Sequence, residues 1–483
     1  MGIPKLTTGI PGFDILTHGG IPEGRATLVA GRSGTGKTIF ALQLAAHLAR
    51  HHVPPLLVGV EESGEDLLVT GDGLGLELST LRDEGKMFVA DLTRPMEGPT
   101  VVSGDYDLYG LIHRLEAAVK ERKVKAIIID SATALFSPRP APEQLRNHFF
   151  QLVHTLRRLG VTGVILAESP GDYGQLTTLG VEDYVCDLVV IMRNTIDLDR
   201  RRRSIEVNKY RRSGHFKVEY PCTVTTRGLV IFPQNPKERP DFVAVERFSS
   251  GVPGLDEMTG GGWLRNSIII VRGPTGSGKT MLSGLYARAG AVRGERVVYY
   301  GFEEPRPILV RNFELIGMPM TPLINSGNLR VICRYPESLS LEDLLVSLRI
   351  GIEEYSPSLI VMDSISSIEH ASSEKSFRQF IIGVAALLRE HGRSALLTQT
   401  VMPGEAARHT APYLSTVADA ILSMDYSADS YELDRQMRVI KMRGSSHATN
   451  PYRLVIEPGG LKVEKLTQAE YLNKKSTKNT VPT

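Results

Sequence analysis

Cysteine is scarce in this chain: Cys186, Cys222 and Cys333 are the full complement. Three scattered thiols support neither a disulfide framework nor a thiolate zinc site, and they fit a reducing compartment. Net charge is nearly absent, with 56 basic against 54 acidic residues, so no global field draws the protein to nucleic acid or to a membrane. No apolar run approaches the length of a membrane span, and the amino terminus lacks the basic-then-apolar pattern of a secretory signal. The expectation is a soluble cytoplasmic protein. A length of 483 residues leaves room for more than one core.

Glycine-rich punctuation is plentiful, and one pattern occurs twice. Gly31-Arg32-Ser33-Gly34-Thr35-Gly36-Lys37-Thr38 reappears as Gly273-Pro274-Thr275-Gly276-Ser277-Gly278-Lys279-Thr280. Both match the phosphate-binding loop G-x-x-x-x-G-K-[ST]. Glycines allow several backbone N–H groups to face one anion, and the following helix adds the positive end of its dipole. The lysine reaches the β- and γ-phosphates, and the threonine hydroxyl ligates Mg²⁺. An apolar strand pattern precedes each loop (Ala26-Thr27-Leu28-Val29-Ala30; Ser267-Ile268-Ile269-Ile270-Val271), and a helical pattern opening with Ile39 or Met281 follows. Two nucleoside triphosphate sites, each with Mg²⁺, are expected.

The repeat extends beyond the loops. Residues 8–14 and 250–256 share a Ser/Thr-Gly-Ile/Val-Pro-Gly-Phe/Leu-Asp pattern. Leu56-Leu57-Val58-Gly59-Val60 runs into Glu61-Glu62, as Val297-Val298-Tyr299-Tyr300-Gly301-Phe302 runs into Glu303-Glu304. Ile127-Ile128-Ile129 ends in Asp130, as Ile360-Val361-Met362 ends in Asp363. Continuous apolar runs alternating with helical patterns indicate parallel strands buried on both faces. β-rich stretches toward the end of each half predict antiparallel hairpins added to the sheet. The fold class is therefore α/β, as two tandem units: residues 1–232, a proline-rich linker at 233–245, a second unit at 246–466, and a flexible lysine-rich tail at 467–483.

Phosphoryl transfer requires a positioned nucleophile and neutralised charge. Glu61 and Glu303 are the candidate general bases, on strands expected beside the neighbour of the phosphate-loop strand, with Glu62 and Glu304 adjoining. Asp130 and Asp363, with Thr38, Thr280 and Glu303, are the candidate Mg²⁺ ligands. Lys209 with Arg211, and Lys441 with Arg443, alternate so that each pair projects to one face. The arginines at 200–203 read as a solvated turn or an interface rim rather than a nucleic-acid patch. The halves differ at one telling place. Asp183-Tyr184 precedes the apolar run of the first half where Ser415-Thr416 precedes that of the second, so only the second offers adjacent hydroxyl nucleophiles.

Both loops, both glutamate pairs, Tyr210-Arg211-Arg212-Ser213-Gly214-His215, and Lys441-Met442-Arg443-Gly444-Ser445-Ser446-His447 resemble the KaiC family of double RecA-type ATPases. Arg200–Arg203, Asp83-Glu84-Gly85-Lys86 and Tyr335-Pro336-Glu337-Ser338 add to the match, which covers residues 6–466. The resemblance implies two tandem RecA-like P-loop ATPase domains in a homohexamer, with ATP held between subunits. It implies a first half that is a slow ATPase and a second half that phosphorylates and dephosphorylates its own Ser415 and Thr416, with Thr410 as a third hydroxyl. Lys209, Tyr210, Arg211, Ser213 and His215, and Lys441, Met442, Arg443, Ser445 and His447, become contacts to a neighbour's ATP, and Arg435 a further nucleotide contact. A circadian-clock-like timer or signalling scaffold is the implied role. Gly104-Asp105-Tyr106-Asp107-Leu108 resembles a KaiB-binding region, while the chain beyond Leu466 is shorter than the tails that KaiA engages, which argues against KaiA. Ile316 stands where clock proteins use tryptophan. The alternatives are a DNA-dependent ATPase of the RecA/DnaB type, disfavoured by the neutral charge, and a non-catalytic assembly protein gated by ATP.

Overall fold

The computed structural model describes residues 3–92, 108–136, 142–178, 180, 182–198, 200–233, 246–406, 411–426 and 434–466. The chain divides into two compact units, Met1–Pro233 and Gln234–Thr483. Most of the linker, the tail, Thr410 and residues 104–107 fall outside the described residues.

Each unit is built on a nine-stranded sheet. In the first, the phosphate-loop strand Ala26–Gly31 lies centrally, flanked by Thr162–Glu168 and Leu188–Asp197, both parallel to it. Beyond Thr162–Glu168 come Ala126–Asp130, Pro55–Gly59 and Phe88–Asp91, all parallel. On the other side Arg200–Tyr210, Tyr220–Thr225 and Gly228–Ile231 continue the sheet antiparallel. The second unit repeats this plan around Ile268–Gly273. The expected mixed sheets with carboxy-terminal hairpins are therefore present in both halves.

The central strands are largely apolar because helices cover both faces. Side chains alternate across the sheet: Val29, Leu57 and Ile128 share one cluster with Phe40, Leu44 and Leu48 of helix Lys37–Arg50. Leu28, Ile127 and Ile129 pack on the other face with Phe149 and Leu152 of helix Pro142–Arg158. With several strands burying both faces, the carboxyl ends of the parallel strands are held at one edge, where the loops meet.

The glutamate strand departs from expectation by one place. Pro55–Gly59 pairs with Ala126–Asp130, which pairs with Thr162–Glu168 next to the phosphate-loop strand. Two strands thus separate it from the phosphate loop, and the second half has the same order. The aspartate strand is interposed, so Glu61 and Asp130 emerge from adjacent strands at one end of the sheet.

Candidate functional site: two phosphate loops and their acidic partners

Each phosphate loop turns from strand to helix through a left-handed glycine, Gly36 at φ 104° and Gly278 at φ 102°. Such backbone suits glycine alone at little cost. Close approach matters as well: a Cβ on Gly31 would lie 2.5 Å from the Met192 carbonyl, and one on Gly273 would lie 2.4 Å from that of Met424. Helices Lys37–Arg50 and Lys279–Val292 then present unbonded N–H groups at their starts.

Both lysines are buried and folded over their own loops. Lys37 Nζ donates to the carbonyls of Gly31 at 2.8 Å and Arg32 at 3.0 Å. Lys279 Nζ donates to Gly273 at 2.9 Å and Pro274 at 2.8 Å. Burial lowers the pKa of each ammonium. Glu168, Asp130 and Glu61 oppose that for Lys37, and Asp363 and Glu303 do so for Lys279. Each lysine therefore sits in an acidic cup, held where phosphate oxygens would take over its hydrogen bonds.

Asp130 and Asp363 end their strands buried. Burial pushes the Asp130 carboxyl up to about 6, against a hydrogen bond from Thr38, while Glu61 and Glu62 add to the rise. Asp363 is likewise raised by burial, with Thr398, Tyr299 and Thr280 hydrogen-bonding to it. In each half the loop threonine thus meets the strand-end aspartate, giving a carboxylate and a hydroxyl as the donor set. These hard oxygens fit Mg²⁺, which in such sites takes one or two protein ligands with substrate phosphates.

Glu61 and Glu303 are exposed, just past their strands. Ser131 donates to Glu61 at 2.5 Å and Ser364 to Glu303 at 2.6 Å, with Ser367 adding a bond to Glu303 at 3.2 Å. The serine after each aspartate thus orients the neighbouring glutamate. Glu304 accepts from Asn312 at 3.0 Å. In the second half a pocket of about 450 Å³ gathers Thr275, Gly276, Gly278, Lys279, Thr280 and Met281 with Glu303, Glu304 and Asp363. Its apolar side is Leu309, Phe313 and Ile316, so the residue standing in for tryptophan does face the pocket.

Lys441, Met442, Arg443, Ser445 and His447 do not line that pocket. Lys441 donates to the carbonyls of Ser415 and, at 2.9 Å, of Ala418. Arg443 donates to Thr416 at 3.1 Å, and Arg389 to Val417 at 2.6 Å. The carboxy-terminal carbonyls of helix Pro412–Val417 are thus capped by three cations. In the first half Arg211 donates to the Tyr184 carbonyl at 2.8 Å in the same manner. Arg211 and Arg443 lie just beyond their strands, Arg200–Tyr210 and Arg435–Met442. The Tyr210 side chain is buried and its hydroxyl donates to Gly20 at 3.1 Å. Met442 packs against the core. Ser213 and Ser445 donate to the carbonyls of the next residue, Gly214 and Ser446. His215 is half-buried, with its pKa lowered by that burial, and His447 is half-buried too.

Sequence reasoning missed Ser131, Ser364, Ser367 and Asn312, which hold the glutamates, and the phosphate-loop contact of Arg203. Arg203 belongs to a strand rather than a solvated turn, and its Nε donates to the Gly34 carbonyl at 3.2 Å. Arg435 does the same to Gly276 at 3.1 Å. The signal was available: Arg203 and Arg435 keep the spacing that relates Arg211 to Arg443.

A central parallel sheet, a phosphate loop at its edge and an aspartate on a nearby strand, all present twice, define a tandem RecA-like P-loop ATPase. A family model described as the KaiC ATPase matches residues 6–236 and again 248–468. The chain belongs to the KaiC family of ATPases, a family of circadian clock proteins, and binds ATP. It is 39% identical over 465 residues to the circadian clock oscillator protein KaiC of Picosynechococcus sp., covering 96% of this chain and 90% of that one. It is 40% identical to the circadian clock oscillator protein KaiC 1 of Synechocystis sp., with 92% and 86% covered. It is 39% identical to the circadian clock protein KaiC3 of the same organism, with 96% and 92% covered. Among the described residues, no helix is long and apolar enough to cross a membrane.

Proposed function

We propose that the protein is a cytoplasmic hexameric ATPase and autokinase, working as a clock-like timer, with ATP held between neighbouring subunits. Its second half transfers the γ-phosphoryl group to Ser415 and Thr416 and can remove it again. The observation that carries this reading is the hydroxyl pair on helix Pro412–Val417, capped by Lys441, Arg443 and Arg389. The first half has Asp183-Tyr184 instead, and there ATP is only hydrolysed.

In the transfer step the Glu303 carboxylate accepts the proton of a Ser415 or Thr416 hydroxyl presented by an adjacent subunit. The freed oxygen bonds to the γ-phosphorus as the bond from that phosphorus to the ADP oxygen breaks. In the first half Glu61 accepts the proton of a water. Ser131 and Ser364 fix the two glutamates. Thr38 with Asp130, and Thr280 with Asp363 and Glu303, would hold Mg²⁺, which neutralises charge on the β- and γ-phosphates when bound. Lys209 and Arg211, and Lys441 and Arg443, supply charge to the neighbour's nucleotide, and a phosphate added beside the latter pair would compete for them. A KaiB-like protein is the expected partner.

The test is phosphosite mapping by mass spectrometry after incubation with γ-labelled ATP, with Glu303→Gln as control. Label is expected on Ser415 and Thr416 and is lost in the variant. ATP consumption without label at either position refutes the kinase reading.

A further inference from the structure

The second half contains a partly buried polar cluster that the matching described residues of the first half lack. Arg272 lies in strand Ile268–Gly273, immediately before the phosphate loop, and is 4% exposed. Its Nε donates to Gln399 Oε1 at 2.9 Å, and its Nη1 to the Ala406 carbonyl at 3.3 Å. Gln399 Nε2 in turn donates to Glu369 Oε2 at 3.0 Å. The other Glu369 oxygen accepts from the Tyr413 hydroxyl at 3.5 Å. Tyr413 also packs edge-on against Phe377, with ring centroids 6.2 Å apart.

The equivalent places in the first half are apolar. Ala30 pairs with Ala167 in the register by which Arg272 pairs with Gln399. Phe136 follows Asp130 at the spacing by which Glu369 follows Asp363. All three are buried, so the fold is satisfied there without any polar group. Burying a guanidinium is costly, and apolar replacements of buried ionic clusters are often neutral or stabilising. A stability argument alone therefore does not account for the cluster. Its placement does: Ala406 and Tyr413 lie on either side of residues 407–410, and Tyr413 is two residues before Ser415 on the same helix.

We propose that Arg272, Gln399 and Glu369 form a clasp that holds the Ser415/Thr416 helix to the strand feeding the phosphate loop. Glu369 is the central positioning residue, because it joins the Gln399–Arg272 pair to Tyr413. The clasp couples the acceptor helix to the nucleotide site of its own chain, and only in the half where a hydroxyl pair has to be presented. Burial, reinforced by Glu369 and Glu374, pushes the Tyr413 phenol up to about 12, so it remains a donor at neutral pH. The consequence for phosphorylation rests on the autokinase reading above, whereas the clasp itself does not.

The decisive variant gives the second half the residues of the first: Arg272→Ala, Gln399→Ala and Glu369→Phe together, in the full-length protein. Glu369→Gln serves as the conservative partner, since its amide oxygen still accepts from Gln399. Amide hydrogen exchange over 412–418 is read by mass spectrometry, beside γ-phosphate labelling and binding of a fluorescent ATP analogue. Exchange is expected to rise about fivefold in the triple variant, as for the loss of one hydrogen bond of ordinary strength. Labelling should fall with it, analogue affinity should be unchanged, and Glu369→Gln should stay near wild type in all three. Unchanged exchange in the triple variant overturns the clasp. Faster exchange with full labelling overturns its role in presenting the hydroxyls. A wild type that takes no label, with exchange still faster in the variant, upholds the clasp and refutes the autokinase reading instead.

Discussion

Asp130 offers the most direct physical test of how the first site is built, through its replacement by asparagine. Burial raises this carboxyl from 3.8 to about 6, outweighing the hydrogen bond from Thr38 and the attraction of Lys37. That change corresponds to about 3 kcal/mol by which folding disfavours the ionised form, at about 1.4 kcal/mol per pH unit. The folded chain holds the proton more tightly than the unfolded chain, so this contribution favours folding most below about pH 4. It declines as pH rises through about 6 and is constant above. Asp130→Asn keeps the shape and removes the charge. Without nucleotide and with chelator present, the variant should be more stable than wild type by up to about 3 kcal/mol at about pH 7.5. The gap should close as pH approaches about 4. Hydrogen exchange in peptides from Ala26–Gly31 and Ala126–Asp130 reads the first unit. Fluorescence of the single tryptophan, Trp263, buried in the second unit, serves as an internal control and should not move. Adding Mg²⁺ and ATP should reverse the order, because the charge that destabilises the empty site is the one that the metal requires. A variant no more stable than wild type at neutral pH, or a gap that persists in acid, refutes the reasoning.

Lys37→Ala and Lys279→Ala should each remove one of two ATP sites, costing about 2–5 kcal/mol of affinity at that site, and calorimetric stoichiometry falling from two to one per chain would show it. Tyr299→Phe deletes a donor that lies 2.5 Å from Asp363 Oδ2. The second unit should lose about 1–3 kcal/mol, read as a lower urea midpoint in Trp263 fluorescence. An unchanged midpoint would mean that Ser283 and Thr398 suffice. Arg203→Ala and Arg435→Ala release equivalent phosphate-loop carbonyls, so each should weaken ATP binding in its own half by about 1 kcal/mol. Markedly unequal losses in the two titrations would contradict the shared geometry.

The contiguous features were legible in the sequence because their physics is local. A phosphate loop needs its glycines, lysine and threonine within a single turn, and apolar runs ending in Asp130, Asp363 or a glutamate pair mark buried strands that open onto a sheet edge. Repetition made each reading stronger, and it could have promoted Arg203 as well, had position been weighed above the arginine run around it. The Ser415-Thr416 pair stood out because Asp183-Tyr184 occupies the matching place. What the sequence could not order was the sheet: nothing in Pro55–Gly59 says that Ala126–Asp130 lies between it and the neighbour of the phosphate-loop strand.

Tertiary structure alone decided which polar side chains meet. The hydroxyls of Tyr299, Thr398 and Ser283 converge on Asp363, where the first half places Leu57, Leu166 and Ala41. Arg272, Gln399, Glu369 and Tyr413 come from four separate elements. Each such group tolerates burial only where its partners stand within hydrogen-bonding reach. That condition is set by strand register and helix packing, so no window along the chain displays it.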